Sequence, residues 1–317
     1  VTGIFERLNR PMIESNMKQA DVPDGCTVIQ NQNGTAPCMW FEHNGKVIVS
    51  MPGVPFEMMY LMEEEILPRL KRAFKLPFIV HKTILTAGIG ESFLAVEIAE
   101  LEDGLPDHIK LAYLPRLGQV RLRLSGSGTD EDELKGMVEK HARLIIDKIK
   151  RFVVVEDDVA LEKAMLNSMQ RLGLTLSTAE SCTGGYIAHL ITQHAGSSAV
   201  YAGGAVAYAN ELKESVLKVR HETLADFGAV SEETVKEMAL GALNHFKTSY
   251  AVAVTGIAGP DGGTPDKPVG TVWIAVAGSK GVKAKLFSFG NKRLQNIERS
   301  AIAALSMILN ELREDYS

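Results

Sequence analysis

Cysteine is scarce in this chain. Cys26, Cys38 and Cys182 are spread over 317 residues, too few and too scattered for a disulfide framework. No run of 18 apolar residues occurs, so no membrane-spanning helix is expected. A basic start, an apolar core and a small-residue cleavage site, the pattern of a secretory signal, are also missing. These absences point to the cytoplasm. The sequence begins with Val1 rather than Met, so a fragment or a processed chain is expected. The eight histidines and three cysteines lack ligand-like spacing, and neither HExxH nor CxxC is present. No metal site is therefore expected. Phosphate-cradling loops of the GxGxxG or GxxxxGK(S/T) type are absent too. Basic charge is not in excess: 34 Lys and Arg stand against 39 Asp and Glu, a formal net charge of −5. That balance weighs against nonspecific nucleic-acid binding.

What is present reads as a globular protein of two or three domains, with 45% hydrophobic and 23% charged residues. Three segments differ in character. Residues 1–78 hold the turn signal Asn33-Gly34-Thr35-Ala36-Pro37 and a strand candidate, Lys46–Ser50. A Pro-Gly corner and a helix over Met58–Phe74 follow. The segment looks like half of a doubly wound domain. Residues 79–155 give strands near 79–86, 109–113 and 119–124, with helices over Glu91–Leu101 and Thr129–Lys150. This is a small α+β module whose charges balance, eleven Lys and Arg against twelve Asp and Glu. Arg121 and Arg123 alternate on one strand, as a phosphate-facing edge or as a solvated face. Residues 156–317 alternate strands and helices. They predict an α/β sandwich with a mixed sheet, ending in an amphipathic helix over Leu294–Leu312.

The chemistry concentrates in Thr178-Ala179-Glu180-Ser181-Cys182-Thr183-Gly184-Gly185, which joins an apolar run to an amphipathic one. Strand, turn, helix is the expected layout, with Ser181 near the helix start. The stretch reads as a nucleophile or anion site, and also as a plain helix cap with a tight turn. A serine hydroxyl needs a base. No His partner is evident. Tyr208 and Lys213 lie together at the end of a strand expected to be buried, Tyr201–Tyr208. A lysine base must lose about three pKa units from ~10.4, a cost of about 4 kcal/mol that burial must impose. Lys213 reads as well as a solvated helix lysine. Cys182 is the rival nucleophile. A Gly- and Pro-dense loop, Ile257–Gly270, follows the apolar strand Tyr250–Gly256. Loops this long in compact domains are usually functional.

The motifs Ala179–Gly185, Gly196-Ser197-Ser198, Tyr208–Lys213, Gly228–Ser231 and Thr255–Gly263 occur in that order. Together they resemble the C-terminal domain of the CinA family (competence/damage-inducible protein A). The resemblance implies a nicotinamide mononucleotide (NMN) deamidase of pyridine nucleotide salvage, releasing nicotinic acid mononucleotide and ammonia. It places the catalytic residues on Ser181, Tyr208 and Lys213 and calls for no cofactor. Oxyanion or substrate contacts would come from Cys182, Thr183, Gly184, Asn210, Thr255, Gly256 and Gly259, with Arg293 and Arg299 as phosphate partners. Glu180 has three open roles: moderating Ser181, steering Lys213, or facing a partner strand. Asn16–Ala20, Asn33–Pro37 and Pro52–Glu57 resemble the second half of the family's molybdopterin-binding-like domain. Met17 stands where a basic residue is usual and Cys38 where glycine is usual. The family's upstream Gly-Gly-Leu-Gly-Pro-Thr stretch is absent. The metal-dependent ADP-ribose pyrophosphatase activity of that domain is therefore not expected unless a complete N-terminal domain exists. The middle segment resembles the family's KH-like domain. It lacks a Gly-x-x-Gly clamp and positive charge, so RNA binding is not expected. The fold implied is α/β: a C-terminal sandwich (156–317) behind a KH-like α+β module (79–155) and a partial molybdopterin-binding-like domain (1–78). A homodimer is implied, with the last helix as a candidate interface. A non-enzymatic role in DNA uptake or damage response is the alternative.

Overall fold

The computed structural model describes residues 2–316 apart from 8, 10 and 12. It divides into two compact units, Val1–Pro77 and Phe78–Ser317.

In the smaller unit, β1 (Thr27–Ile29), β2 (Cys38–His43) and β3 (Lys46–Ser50) form an antiparallel sheet in that order. Asn44 and Gly45 join β2 to β3 with φ of +49° and +70°. Two left-handed residues, Asn then Gly, form the tight turn that matches strand twist. A two-residue connection can join only antiparallel strands, so this sheet lacks the parallel strands of a doubly wound half-domain. The helix expected at Met58–Phe74 runs as Pro55–Tyr60, a π-helical stretch Leu61–Ile66, and Leu67–Ala73. Leu61 and Ile66 bury against Ile29, Cys38 and Trp40.

The larger unit holds two sheets. The first has the order β5-β6-β4-β7, from β4 (Phe78–Ala87), β5 (Ile109–Arg116), β6 (Gln119–Gly128) and β7 (Val153–Val155). All pairs are antiparallel. Helices Glu91–Asp103 and Glu131–Lys148 pack on it through Leu94, Ile98, Leu134, Val138 and Ile145. Asp130 caps the second helix, accepting from the N–H groups of Asp132 and Glu133 at 3.0 Å each. β6 lies between two partners. Arg121 and Arg123 are therefore on a central strand, where both meet Asp158, at 3.0 and 3.3 Å. The phosphate-edge reading fails on that strand order.

The second sheet has the order β12-β11-β10-β8-β9. Its strands are β8 (Leu176–Glu180), β9 (Tyr201–Val206), β10 (Tyr250–Gly256), β11 (Thr271–Gly278) and β12 (Gly281–Ser288). β8 runs parallel to both β9 and β10. β11 is antiparallel to β10 and β12. The sheet is mixed, as expected. Successive side chains on a strand face opposite ways, and β10 uses this fully. Val252 and Val254 join the core made with helices Leu161–Leu172, Tyr186–Thr192 and Arg293–Tyr316. Ala251 and Ala253 face the other way, with Val235, Met238 and Ala242 of helix Glu232–Phe246. The small side chains let that helix sit close. Gly173, at φ +67°, ends the first of these helices. β9 is an edge strand whose exposure alternates, not the buried strand its small apolar residues suggest. The face of the last helix that carries Ala301, Leu305, Ile308 and Leu312 is buried in this chain's own core. It is not free for a second copy. Among the described residues, no helix is long and apolar enough to cross a membrane.

Candidate active site

β8, β9 and β10 run in parallel, so their carboxyl ends share one edge of the sheet. The chain passes from β8 to β9 through helix Tyr186–Thr192 on one face. It reaches β10 through helix Glu232–Phe246 on the other. Crossovers on opposite faces open a crevice at the end of the central strand, where open α/β sheets take ligands. The Ser181 turn occupies that crevice. It is pinned on both sides: Ser181 N–H donates to the Val254 carbonyl at 3.0 Å, and Ala207 N–H to the Glu180 carbonyl at 2.8 Å.

Glu180 has a role outside the three expected ones. Its side chain is fully buried. The carboxylate accepts from the N–H groups of Gly185 (3.1 Å), Ile187 (3.0 Å) and Ala188 (2.9 Å). It thereby caps the following helix from the strand that precedes it, using the orphan amides of the first turn. Gly184 and Gly185, at φ +61° and +95°, allow the chain to double back far enough for this.

Lys213 is 1% exposed. Its Nζ donates to Ser181 Oγ at 3.2 Å, to the Ala207 carbonyl at 2.9 Å and to the Tyr208 carbonyl at 3.3 Å. No carboxylate pairs with it among the described residues. Burial lowers its pKa from the ordinary lysine value. In the neutral amine, two hydrogens can stay on the two carbonyls while the lone pair faces the Ser181 hydroxyl. Cys182 behaves differently. Burial pushes its thiol up to about 12, and its side chain belongs to the apolar core. A protonated, packed thiol is a poor nucleophile.

The remaining candidates divide. Gly184 is not an oxyanion donor, because its N–H closes the turn onto the Ser181 carbonyl at 3.0 Å. The Thr183 N–H has no protein acceptor among the described residues, the Cys182 N–H meets only its own thiol, and the buried Thr183 hydroxyl has no partner. The Tyr208 side chain is exposed, and its hydroxyl accepts from Arg293 at 2.9 Å. What Tyr208 gives Lys213 is its main-chain carbonyl. Arg293 also donates to the Gly259 carbonyl at 2.8 Å, tying the Ile257–Gly270 loop to Tyr208. Thr255 spends its hydroxyl on the Ala229 carbonyl at 2.7 Å. Gly256 and Gly259 are packing positions: an added Cβ would meet Val272 at 2.7 Å and Val269 at 2.5 Å. Asn210 is exposed at the start of the short helix Asn210–Ser215. Arg299 lines a different cavity. It lies six residues, about 9 Å of helix, beyond Arg293. Asn296 is a contributor the sequence reading missed. Fully buried, it donates to the Ala258 carbonyl at 3.0 Å and the Gly290 carbonyl at 2.8 Å, anchoring the same loop. A lone amide on an apolar helix face was its signal. Among the described residues, no group of three or more His, Cys, Asp or Glu side chains is placed to hold a metal.

Residues 158–312 match the model of the CinA C-terminal domain, and residues 81–154 that of the damage-inducible protein CinA KH domain. A CinA-like protein of Cytophaga hutchinsonii is 44% identical over 98% of this chain and 75% of its own length. Another, of Flavobacterium psychrophilum, is 47% identical over the whole of this chain and 76% of its own. Among solved structures, the competence/damage inducible protein CihA from Agrobacterium tumefaciens is 45% identical. It covers 48% of this chain and 93% of its own, with a TM-score of 0.47.

Proposed function

The chain belongs to the CinA family, and from that premise we propose that it is a nicotinamide-nucleotide amidohydrolase, converting NMN to nicotinic acid mononucleotide and ammonia. The observation that carries the reading is the buried Lys213 Nζ, 3.2 Å from Ser181 Oγ and held by two main-chain carbonyls. This is a hydroxyl and a base within hydrogen-bond reach, the base itself oriented by further groups.

Ser181 Oγ attacks the carboxamide carbon while Lys213 takes the hydroxyl proton. The carbonyl π electrons move to oxygen, and the N–H groups of Cys182 and Thr183 hold that oxyanion. Each such donor is worth roughly 3 kcal/mol. Collapse breaks the C–N bond, and the proton on Lys213 goes to the departing nitrogen, which leaves as ammonia. Water then attacks the ester, giving its proton to Lys213. The new carboxylate departs, and Ser181 recovers a proton. The Thr255–Gly263 loop closes over the nucleotide. Arg293 at its rim meets the phosphate, and Tyr208 positions that guanidinium as well as the lysine.

The test is ammonia release from NMN by the purified chain, with Ser181→Ala as control. Turnover lost in the variant supports the assignment. Full turnover in Ser181→Ala would remove Ser181 from the chemistry. Tight NMN binding without turnover in the wild type would favour the binding-protein alternative.

A further inference from the structure

A cavity of about 1040 Å3 lies between the first sheet of the larger unit and the Arg293–Tyr316 helix. Its wall includes none of the Ser181, Lys213 and Arg293 machinery. The volume is at the upper end of small-molecule sites, which run to roughly 1000 Å3. Charge and ring chemistry say what it suits. Arg116, Arg151, Lys285 and Arg299 line it against a single carboxylate, Glu91. Arg151 is engaged by Glu97 at 2.8 Å. Arg116, Lys285 and Arg299 have no ion-pair partner among the described residues. In a chain of net charge −5, three cations left uncompensated around one hollow make a local field for an anion.

The same wall carries aromatic surface. Phe287 and Phe289 stack with centroids 5.6 Å apart and planes at 18°. Lys285 Nζ stands 5.3 Å from the Phe287 centroid. Rings beside cations can stack a base and bind the phosphates attached to it. A bare phosphate would leave the rings unused. A nucleic-acid strand would need a basic track leading out of the cavity, whereas residues 79–155 balance eleven Lys and Arg with twelve Asp and Glu.

We infer that this cavity is a second, non-catalytic site for a nucleoside polyphosphate, its base on Phe287 and Phe289 and its phosphates on Arg116, Lys285 and Arg299. The inference is independent of the amidase reading, because its test measures binding and no turnover. The full chain is titrated calorimetrically with ADP, adenosine, inorganic phosphate and a single-stranded oligonucleotide in separate arms. Wild type, Ser181→Ala and the double variant Arg116→Glu/Lys285→Glu are compared. Both substituted positions are exposed, and thermal melts confirm that the double variant stays folded. ADP is expected to bind at least tenfold more tightly than adenosine or phosphate. Ser181→Ala should keep that affinity, and the double variant should lose at least tenfold. ADP binding absent at millimolar concentration, or unchanged in the double variant, overturns the inference. So does an oligonucleotide that binds more tightly than ADP.

Discussion

Replacing Lys213 by methionine separates the two consequences of its burial. The side chain ends one atom short of the amine position and keeps most of its volume, so the space between the Ser181 turn and helix Asn210–Ser215 stays largely filled. The amine is lost, and with it the base 3.2 Å from Ser181 Oγ. A positioned general base contributes about 10²–10⁴-fold, so NMN turnover should fall by at least a hundredfold. The second consequence is a pH-dependent stability. Burial lowers the Lys213 pKa in the folded state, whereas the unfolded chain holds its lysine near ~10.4. Between the two values the unfolded state binds more protons, so unfolding free energy rises with pH. The slope cannot exceed about 1.4 kcal/mol per pH unit for one group. This contribution is complete above ~10.4 and is lost as pH falls through the folded-state value. Methionine has no such slope. Urea unfolding of both proteins in steps from pH 6 up to ~10.4 reads the difference directly. The wild type should gain on the variant as pH rises. Wild-type kcat/KM should climb with pH wherever Lys213 deprotonates in the folded state. A stability difference flat in pH would refute the lowered pKa. Turnover above a tenth of wild type in Lys213→Met would refute the base.

Three further outcomes follow from neighbouring contacts. Cys182→Ala should keep NMN turnover within a few-fold, and iodoacetamide at pH 8 should leave Cys182 unlabelled, because burial pushes the thiol up to about 12. Mass spectrometry of the labelled chain checks this. Glu180→Gln should lower stability by about 1.5–3 kcal/mol in urea. An amide has one acceptor oxygen for three converging N–H groups, and its own NH2 must face at least one of them. Gly241→Ala should cost about 1–3 kcal/mol, lowering the melting temperature by roughly 2–4 °C for each kcal/mol. Its Cβ would stand 1.8 Å from the Leu217 carbonyl oxygen, a backbone atom that cannot swing aside.

The features legible in the sequence are those set by neighbours along the chain. The run Thr129–Lys150 reads as a helix, Leu294–Leu312 as an amphipathic one, and the apolar run Tyr250–Gly256 as a strand. What escaped depends on main-chain atoms or on strand order. Glu180 looks like a charge beside a nucleophile, yet its partners are three backbone amides that exist only once the helix forms. The loss of Gly184 as a donor has the same origin, since its N–H is consumed by the turn itself. Arg121 and Arg123 leave both an edge and a solvated face open, because nothing in their alternation says that β6 has a neighbour on each side.

Strand order also decides whether Lys213 can be a base at all. In sequence the parallel strands come as β8, β9, β10, whereas in space β8 lies between the other two. Lys213 follows β9, one strand spacing from the Ser181 turn, about 4.8 Å. Had β9 been placed beyond β10, the same helix would start about 10 Å away. A lysine side chain arriving from there would have to cross the Ile257–Gly270 loop. The carbonyls of Ala207 and Tyr208 would move with it, so the amine would keep two acceptors and lose its serine. The motif Tyr208–Lys213 would be unchanged in such a chain, and so would the Ser181 turn. The pairing of hydroxyl and amine therefore belongs to the β10-β8-β9 order, which helices on opposite faces of the sheet impose and which neither motif encodes by itself.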